Sequence, residues 1–361
     1  MRVAIVTNMP APYRVNAWNE VARTLGDNFL VIFCSRREPN RQWDIPEIRF
    51  PHIFLKEQFR EKEKGHYVHN NRDVWKHLRR FCPDVVITGG FNPTMLYAFF
   101  YTLLFRKKHV PVSDAWEMAE RHLSPMHMRL RRMVYRFSDA FLACSIKGKH
   151  YFESFGLKKE SVFISHLAIT NGGLPPRRVF PERQFDLLFS GQFIERKKPL
   201  FFCRVAQLVA EKRKETSVLL LGAGPLQEKL TGDLERAGLF FSFPGYASQE
   251  ALPGYYADAR ILLFPTEYDA WGVVANEAMN AGTPVITTPF AGCSDELVLN
   301  GINGCILPLE EEKWADACLT LLQREEQWNE FSTHAMEAAS RITHQKAAAG
   351  ILEACRYADR K

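Results

Sequence analysis

The chain has 361 residues, 46% of them hydrophobic and 24% charged, a mix that excludes a disordered chain and is too long for one small core, so two domains of ordinary size are expected. The formal net charge of +6 is unevenly spread: residues 1–170 hold 27 Lys/Arg against 16 Asp/Glu, leaving 20 against 25 for the remainder. A basic first half and an acidic second half suggest different partners for each, and no nucleic-acid-binding module accompanies the charge, so nucleic acid is not expected among them.

In chain order, Val3–Val6 is a short apolar run after Arg2 and reads as a buried strand, too short for a signal peptide. Further runs rich in β-branched residues follow at Leu30–Cys34, Val85–Thr88, Val110–Ser113, Ala140–Cys144 and Val162–Ser165. The second half repeats the pattern at Asp186–Ser190, Ser217–Leu221, Phe240–Phe243, Ile261–Phe264, Val285–Thr288 and Cys305–Leu307. Apolar strands alternating with helix-period segments predict parallel sheets covered on both faces, hence two doubly wound α/β domains of six strands each. The segment Val85–Phe105 is uncharged and long enough to span a bilayer, but Gly89-Gly-Phe-Asn-Pro93 breaks it into strand, turn and helix, so no transmembrane span is predicted. Thr170–Pro181, rich in Gly and Pro, is the expected linker. The eight cysteines form no Cys-x-x-Cys pair and several lie in apolar runs, which fits buried thiols in a reducing cytosol.

Open α/β sheets bind ligands beyond the carboxyl ends of their strands, so the turns there carry the candidate residues. After Phe264 a polar loop holds Glu267 and Asp269, Gly272 opens a helix, and Glu277 lies about one and a half turns inside it. A helix start of this kind offers unpaired N–H groups and a positive dipole end, which suit a phosphate. On an arbitrary helix the same acids are more often a cap and a solvated side chain. Gly191-Gln-Phe-Ile-Glu-Arg-Lys-Lys198 is a basic turn, Gly222-Ala-Gly-Pro-Leu226 a tight turn, and Phe243-Pro-Gly-Tyr-Ala247 a further strand-end loop. In the first half Asn8-Met-Pro-Ala-Pro-Tyr-Arg14 and Ser113-Asp-Ala-Trp-Glu117 stand at equivalent turns. Arg129, Arg132 and Arg136 recur at helical spacing and, with Arg106-Lys-Lys108, could touch anionic lipid heads or simply form a solvated basic face.

Together these segments resemble glycosyltransferase family 4. Its signature, Glu-x7-Glu followed by Ala-Met-x-x-Gly-x-Pro-Val-Ile, is matched by Asp269-x7-Glu277 and Ala278–Ile286, with Asp in place of the first Glu. The basic turn resembles the family's Gly-Arg-Leu-x-x-x-Lys loop with Lys197 at the lysine, while Gln192 replaces the usual Arg. The resemblance extends through most of residues 1–340 and is strongest from 186 onwards. It implies the GT-B fold, two Rossmann-like domains facing across a cleft: residues 1–170 on the acceptor side, 171–340 binding the donor, and a C-terminal helix in 341–361 packing back on the first domain. It also implies a retaining enzyme that moves a sugar from a nucleoside-diphosphate sugar to a glycan or lipid-linked acceptor, without a metal or other cofactor. Such an enzyme would be cytoplasmic and peripheral at the inner face of an anionic membrane.

On that resemblance Asp269, Lys197 and Asp114 are the catalytic candidates, with Glu117 behind Asp114. Glu277, Arg196, Gly272, Trp271, Val273, Gly191, Gly245, Tyr246 and Arg14 are the donor-binding ones, and Lys198 is a further cation for the diphosphate. A catalytically silent nucleotide-sugar-binding subunit and a GT-B nucleotide-sugar epimerase are the alternatives. A nicotinamide-dependent dehydrogenase is disfavoured, because no Gly-x-Gly-x-x-Gly opens the first helix.

Overall fold

The structure, a computed structural model, describes residues 1–39, 45–63, 66–169, 178–245 and 247–361. Most of the expected linker and Tyr246 therefore lie outside the described residues. The chain divides into two compact units, Met1–Thr170 with Thr343–Lys361, and Asn171–Ile342.

The first unit holds strands β1 (Val3–Thr7), β2 (Phe29–Phe33), β3 (His52–Phe54), β4 (Phe59–Glu63), β5 (His66–His69), β6 (Val85–Gly89), β7 (Lys108–Ser113), β8 (Phe141–Ala143) and β9 (Val162–Ile164). Seven of them form one parallel sheet in the order β3-β2-β1-β6-β7-β8-β9, while β4 and β5 make a separate antiparallel hairpin. The edge strand β3 and the hairpin add to the six strands expected from sequence. β3, His-Ile-Phe, is an edge strand that opens on a histidine, and β4, Phe-Arg-Glu-Lys-Glu, has no buried-strand signature at all.

Helices α1 (Pro12–Leu25), α2 (Val74–Phe81), α3 (Pro93–Leu104), α4 (Glu117–Glu120), α5 (Pro125–Arg136) and α6 (Ile146–Ser154) cover the sheet. One face packs Val3, Ile5, Val31 and Ile87 against Val15, Trp18 and Val21 of α1; the other packs Ala4, Val6 and Val86 against Leu78, Met95 and Ala98. Both faces are apolar because both are covered, which is why these strands read as uninterrupted runs.

The second unit comprises β10 (Phe185–Ser190), β11 (Ser217–Leu221), β12 (Phe240–Gly245), β13 (Ala259–Phe264), β14 (Val285–Thr287) and β15 (Gly304–Ile306), with α7 (Pro199–Lys212), α8 (Gln227–Arg236), α9 (Leu252–Ala257), α10 (Val273–Asn280), α11 (Glu311–Gln323) and α12 (Glu325–Ser340). Its sheet is parallel, in the order β12-β11-β10-β13-β14-β15. The chain winds outward from β10 in one direction and from β13 in the other. The two loops that follow these neighbouring strands therefore diverge, which leaves a crevice at the strands' carboxyl ends.

Helix α13 (His344–Asp359) ends the chain in the first unit, with Ala348, Ile351, Leu352 and Cys355 in that core. It lies close to β9: a Cβ added at Gly350 would stand 1.9 Å from the Ile164 carbonyl oxygen. Gly350→Ala should therefore invert the usual helix preference. On a solvent-facing helix the change gains up to about 1 kcal/mol; here a loss of about 1–3 kcal/mol is expected from overpacking. Thermal or denaturant unfolding decides it, and a gain in stability would contradict this packing.

Candidate active site

At the crevice of the second unit, β10 delivers the loop Gly191–Lys198, whose 3-10 turn covers Glu195–Lys197. The neighbouring β13 delivers residues 265–272, which lead into α10. Asp269 is fixed in this second loop: its N–H donates to the Phe290 carbonyl (3.1 Å) and its own carbonyl accepts from Gly292 (3.1 Å). The Asp269 carboxylate then ties the two loops together. Its Oδ2 pairs with the Lys197 ammonium and lies 3.3 Å from Arg196 Nη1, while its Oδ1 accepts the Trp271 N–H at 3.3 Å. Arg196 also donates to the Tyr268 carbonyl at 2.7 Å, and Lys197 Nζ lies 4.8 Å from the centre of the Phe264 ring.

The electrostatics of the pair follow from enclosure. Burial by itself would raise the Asp269 carboxyl, but the Lys197 charge and hydrogen bond, Arg196 and the Trp271 N–H together hold it below the usual carboxylate range. Burial depresses the Lys197 ammonium, and the attraction of Asp269 opposes that. Two cations thus share one carboxylate, and Lys198 is paired separately with Glu267 at 2.9 Å. The cluster is left with one surplus positive charge.

That charge sits beside a helix start. Gly272, the N-cap of α10, has φ 113° and no capping side chain. A side chain there would be strained, and its Cβ would fall 2.7 Å from the Phe264 ring. The first amides of α10, on Gly272, Val273 and Val274, are therefore met by no capping side chain and form an anion-seeking terminus. Trp271 is fully buried and Val273 partly so.

Glu277 lies in the next turn of α10. The Tyr256 hydroxyl on α9 donates to its Oε2 at 2.7 Å, and that hydroxyl is in turn 2.7 Å from Ser190 Oγ at the end of β10. Glu277 is partly buried. Burial pushes it up to about 7, with the Tyr256 hydrogen bond acting in the opposite direction. The remaining glycines of the predicted set close the neighbouring strand ends. Gly191 N–H donates to the Leu221 carbonyl at 2.9 Å, and Gly222 N–H to the Gly245 carbonyl at 3.3 Å.

In the first unit, Arg14 is buried on the first turn of α1 and committed within its own unit. It pairs with Asp114, at the end of β7, and donates to the Ser165 carbonyl (3.1 Å), just after β9. Sequence reasoning treats Arg14 as a phosphate ligand and Asp114 as a separate acid; the structure joins them, with Asp114 still 41% exposed. Glu117 opens α4. Ser190 stands at the edge of the segment that carries the resemblance and is assigned no role by it, and Tyr256 lies outside it. A tyrosine on a six-residue helix has no sequence signal to set it apart from a core aromatic. Among the described residues no group of three or more His, Cys, Asp or Glu is assembled that could hold a metal ion.

Residues 184–324, most of the second unit and all of the site just described there, match the model of the family described as glycosyl transferases group 1. The chain is 28% identical over 141 residues to a D-inositol 3-phosphate glycosyltransferase of Pseudarthrobacter chlorophenolicus, covering 37% of this chain and 33% of that one. It is 22% identical over 236 residues to an uncharacterized 41.2 kDa protein in the cps region of Klebsiella pneumoniae, covering 62% of this chain and 63% of that one. It therefore spans about a third of the length of the first curated relatives that it matches. Among solved structures, Anabaena Alr3699/HepE in complex with UDP aligns over 99% of this chain and 100% of its own, with a TM-score of 0.78 at 16% identity. The fold is GT-B.

The raised Glu277 carboxyl makes stability depend on pH. Between its ordinary value of 4.5 and its folded value of about 7, the folded state binds more proton than the unfolded one, so stability falls as pH rises through that window. Glu277→Gln keeps an acceptor for Tyr256 and removes the titration. The variant should gain on wild type by up to about 3 kcal/mol between pH 5 and pH 8. Thermal unfolding at both pH values measures this, and a difference that does not change with pH would contradict it.

Proposed function

We propose that the chain is a glycosyltransferase that takes a sugar from a nucleoside-diphosphate sugar and passes it, with retention at the anomeric carbon, to an acceptor hydroxyl. The observation that carries this reading is the convergence on Asp269. Through that carboxylate, cations following β10 are held against the amide start of α10, giving a diphosphate two kinds of positive partner at once. The match of residues 184–324 to a glycosyltransferase family supports it, and the UDP bound to HepE makes UDP-sugars the first donors to test.

In the reaction the bond between the anomeric carbon and the diphosphate oxygen breaks, the acceptor oxygen takes its place, and the hydroxyl proton is released. Negative charge grows on the departing diphosphate. Lys197 and Arg196, held by Asp269, and the first amides of α10 stabilise that charge because they are already in place when it develops. Glu277 accepts hydrogen bonds from the ribose hydroxyls, and Asp269 stands next to the donor sugar. Asp114, aimed by Arg14, is the residue of the first unit assigned to the acceptor.

An acceptor in cell-surface polysaccharide or lipid-linked glycan synthesis would bring the protein to a membrane. No helix among the described residues is long and apolar enough to cross one. Helix α5 instead exposes Arg129, Arg132 and Arg136 together with Met126, Met133 and Phe137. The end of α3, packed beside it through Phe99, exposes Phe100, Leu103 and Leu104. Basic and apolar side chains interleaved in this way fit peripheral attachment to anionic lipid.

Two tests follow. Titration calorimetry with UDP, GDP and ADP sugars should find one that binds, and Glu277→Ala should weaken it by about 2–4 kcal/mol, roughly 30- to 1000-fold. Lys197→Ala should lower turnover more than donor affinity. An Glu277→Ala affinity within about threefold of wild type, or unchanged Lys197→Ala turnover, would reject those roles. Sedimentation with vesicles should show binding to phosphatidylglycerol-containing but not to pure phosphatidylcholine membranes. Replacing Arg129, Arg132 and Arg136 by Gln should cut that binding on the order of tenfold or more; equal binding to both vesicle types would contradict the attachment.

A further inference from the structure

Glu277 receives a ligand hydroxyl most strongly when its carboxylate is charged and correctly turned, and its surroundings supply little help. Burial disfavours the charge, and among the described residues the side chain that favours it is Tyr256. The Tyr256 ring is 1% exposed and its hydroxyl stands between Glu277 Oε2 and Ser190 Oγ at 2.7 Å from each. The phenol has one proton. Donated to the carboxylate, it leaves the phenol oxygen to accept from Ser190, so the three groups form a directed chain from the end of β10 to α10.

The backbone behind this chain is clamped. Arg183, fully buried just before β10, donates to the Ala259 carbonyl (2.6 Å) beyond α9 and to the Ala281 and Gly282 carbonyls (2.9 and 3.1 Å) beyond α10. Its guanidinium also donates to Thr283 Oγ1 at 2.7 Å, and that hydroxyl donates to the Tyr256 carbonyl at 2.7 Å. One cation thus bonds carbonyls that follow both helices, and fixes the chain that follows the Tyr256 helix against the chain that follows the Glu277 helix.

We infer that Tyr256 is a positioning residue: held from behind by Arg183 and Thr283, it aims the Glu277 carboxylate at the ligand and keeps it charged. This rests on the reading of Glu277 as a hydroxyl acceptor for a bound nucleotide, but the aim and charge of Glu277 can be measured without any nucleotide.

The experiment compares wild type, Tyr256→Phe and Ser190→Ala. Isotope-edited infrared spectra, with Glu277→Gln subtracted, follow protonation of the Glu277 carboxyl in ligand-free protein. Loss of one hydrogen bond to a charged group should raise its midpoint in Tyr256→Phe by about one pH unit or more. Ser190→Ala, which leaves the Tyr256–Glu277 bond in place, should raise it less. Calorimetry with UDP should show Tyr256→Phe about tenfold weaker than wild type at pH 7, with the gap narrowing at pH 9, where the carboxyl is charged in both and only the aim is lost. A general loosening of the fold would weaken binding equally at both pH values.

An unmoved infrared midpoint, or a pH-independent affinity loss, would overturn the assignment of Tyr256. A larger shift in Ser190→Ala than in Tyr256→Phe would also overturn it and move the aiming role to the serine. If wild type binds no UDP while the infrared midpoint shifts as expected, the nucleotide reading fails and the positioning of Glu277 stands.

Discussion

The ion pair between Lys197 and Asp269 is the constraint on which the rest of the second unit's site depends. A largely buried carboxylate and a largely buried ammonium are each costly to hold alone, and each is made tolerable by the other, with Arg196 and the Trp271 N–H adding to the support of Asp269. The pair contributes little to net stability for that reason, whereas removing one partner strands a buried charge at a cost of about 3–5 kcal/mol. Its contribution is geometric. The loop after β10 and the loop after β13 leave neighbouring strands, and Asp269 is the buried charge among the contacts that draw them together, beside the Glu267 N–H on the Arg196 carbonyl at 2.8 Å and the Lys198–Glu267 pair.

Those contacts explain why one sheet order suffices to build an anion site. The switch between β10 and β13 opens the crevice, the parallel strands bring both loops to the same edge, and the uncapped start of α10 supplies amides there. Two cations over one acid leave the surplus charge that a diphosphate would neutralise. The first unit repeats the device with opposite emphasis. There Arg14 is the buried member and Asp114 the exposed one, so the edge of that sheet presents an acid where the second unit presents cations.

Much of the fold was legible in the sequence because double coverage of a parallel sheet leaves an unmistakable trace. Runs such as Val3–Val6 and Val218–Leu221 are apolar at every position, and the strands of the second unit each keep an apolar stretch even where Asp186, Ser242 or Arg260 enters it. His52–Phe54 and the hairpin strands Phe59–Glu63 and His66–His69 do not, since the first is an edge strand that opens on a histidine and the other two are rich in charged and polar residues. Asp269, Glu277 and Lys197 were legible as residues because their order and spacing match a motif. Their mutual arrangement was not. Spacing along a chain cannot say that an acid expected at the sugar is paired with the lysine expected at the phosphate, because that contact spans two loops separated by 72 residues. Tyr256, Ser190 and Arg183 were invisible for a related reason: each acts through partners distant in sequence, and each residue type is ordinary where it stands.

The most direct measurement of the account is a crystal structure of the protein with a nucleoside diphosphate bound. The diphosphate should lie within hydrogen-bonding distance of Lys197 Nζ and of the Val273 or Val274 amide, with the ribose hydroxyls on Glu277. A diphosphate found away from the start of α10, with the Lys197–Asp269 pair undisturbed and no anion beside it, would contradict the account.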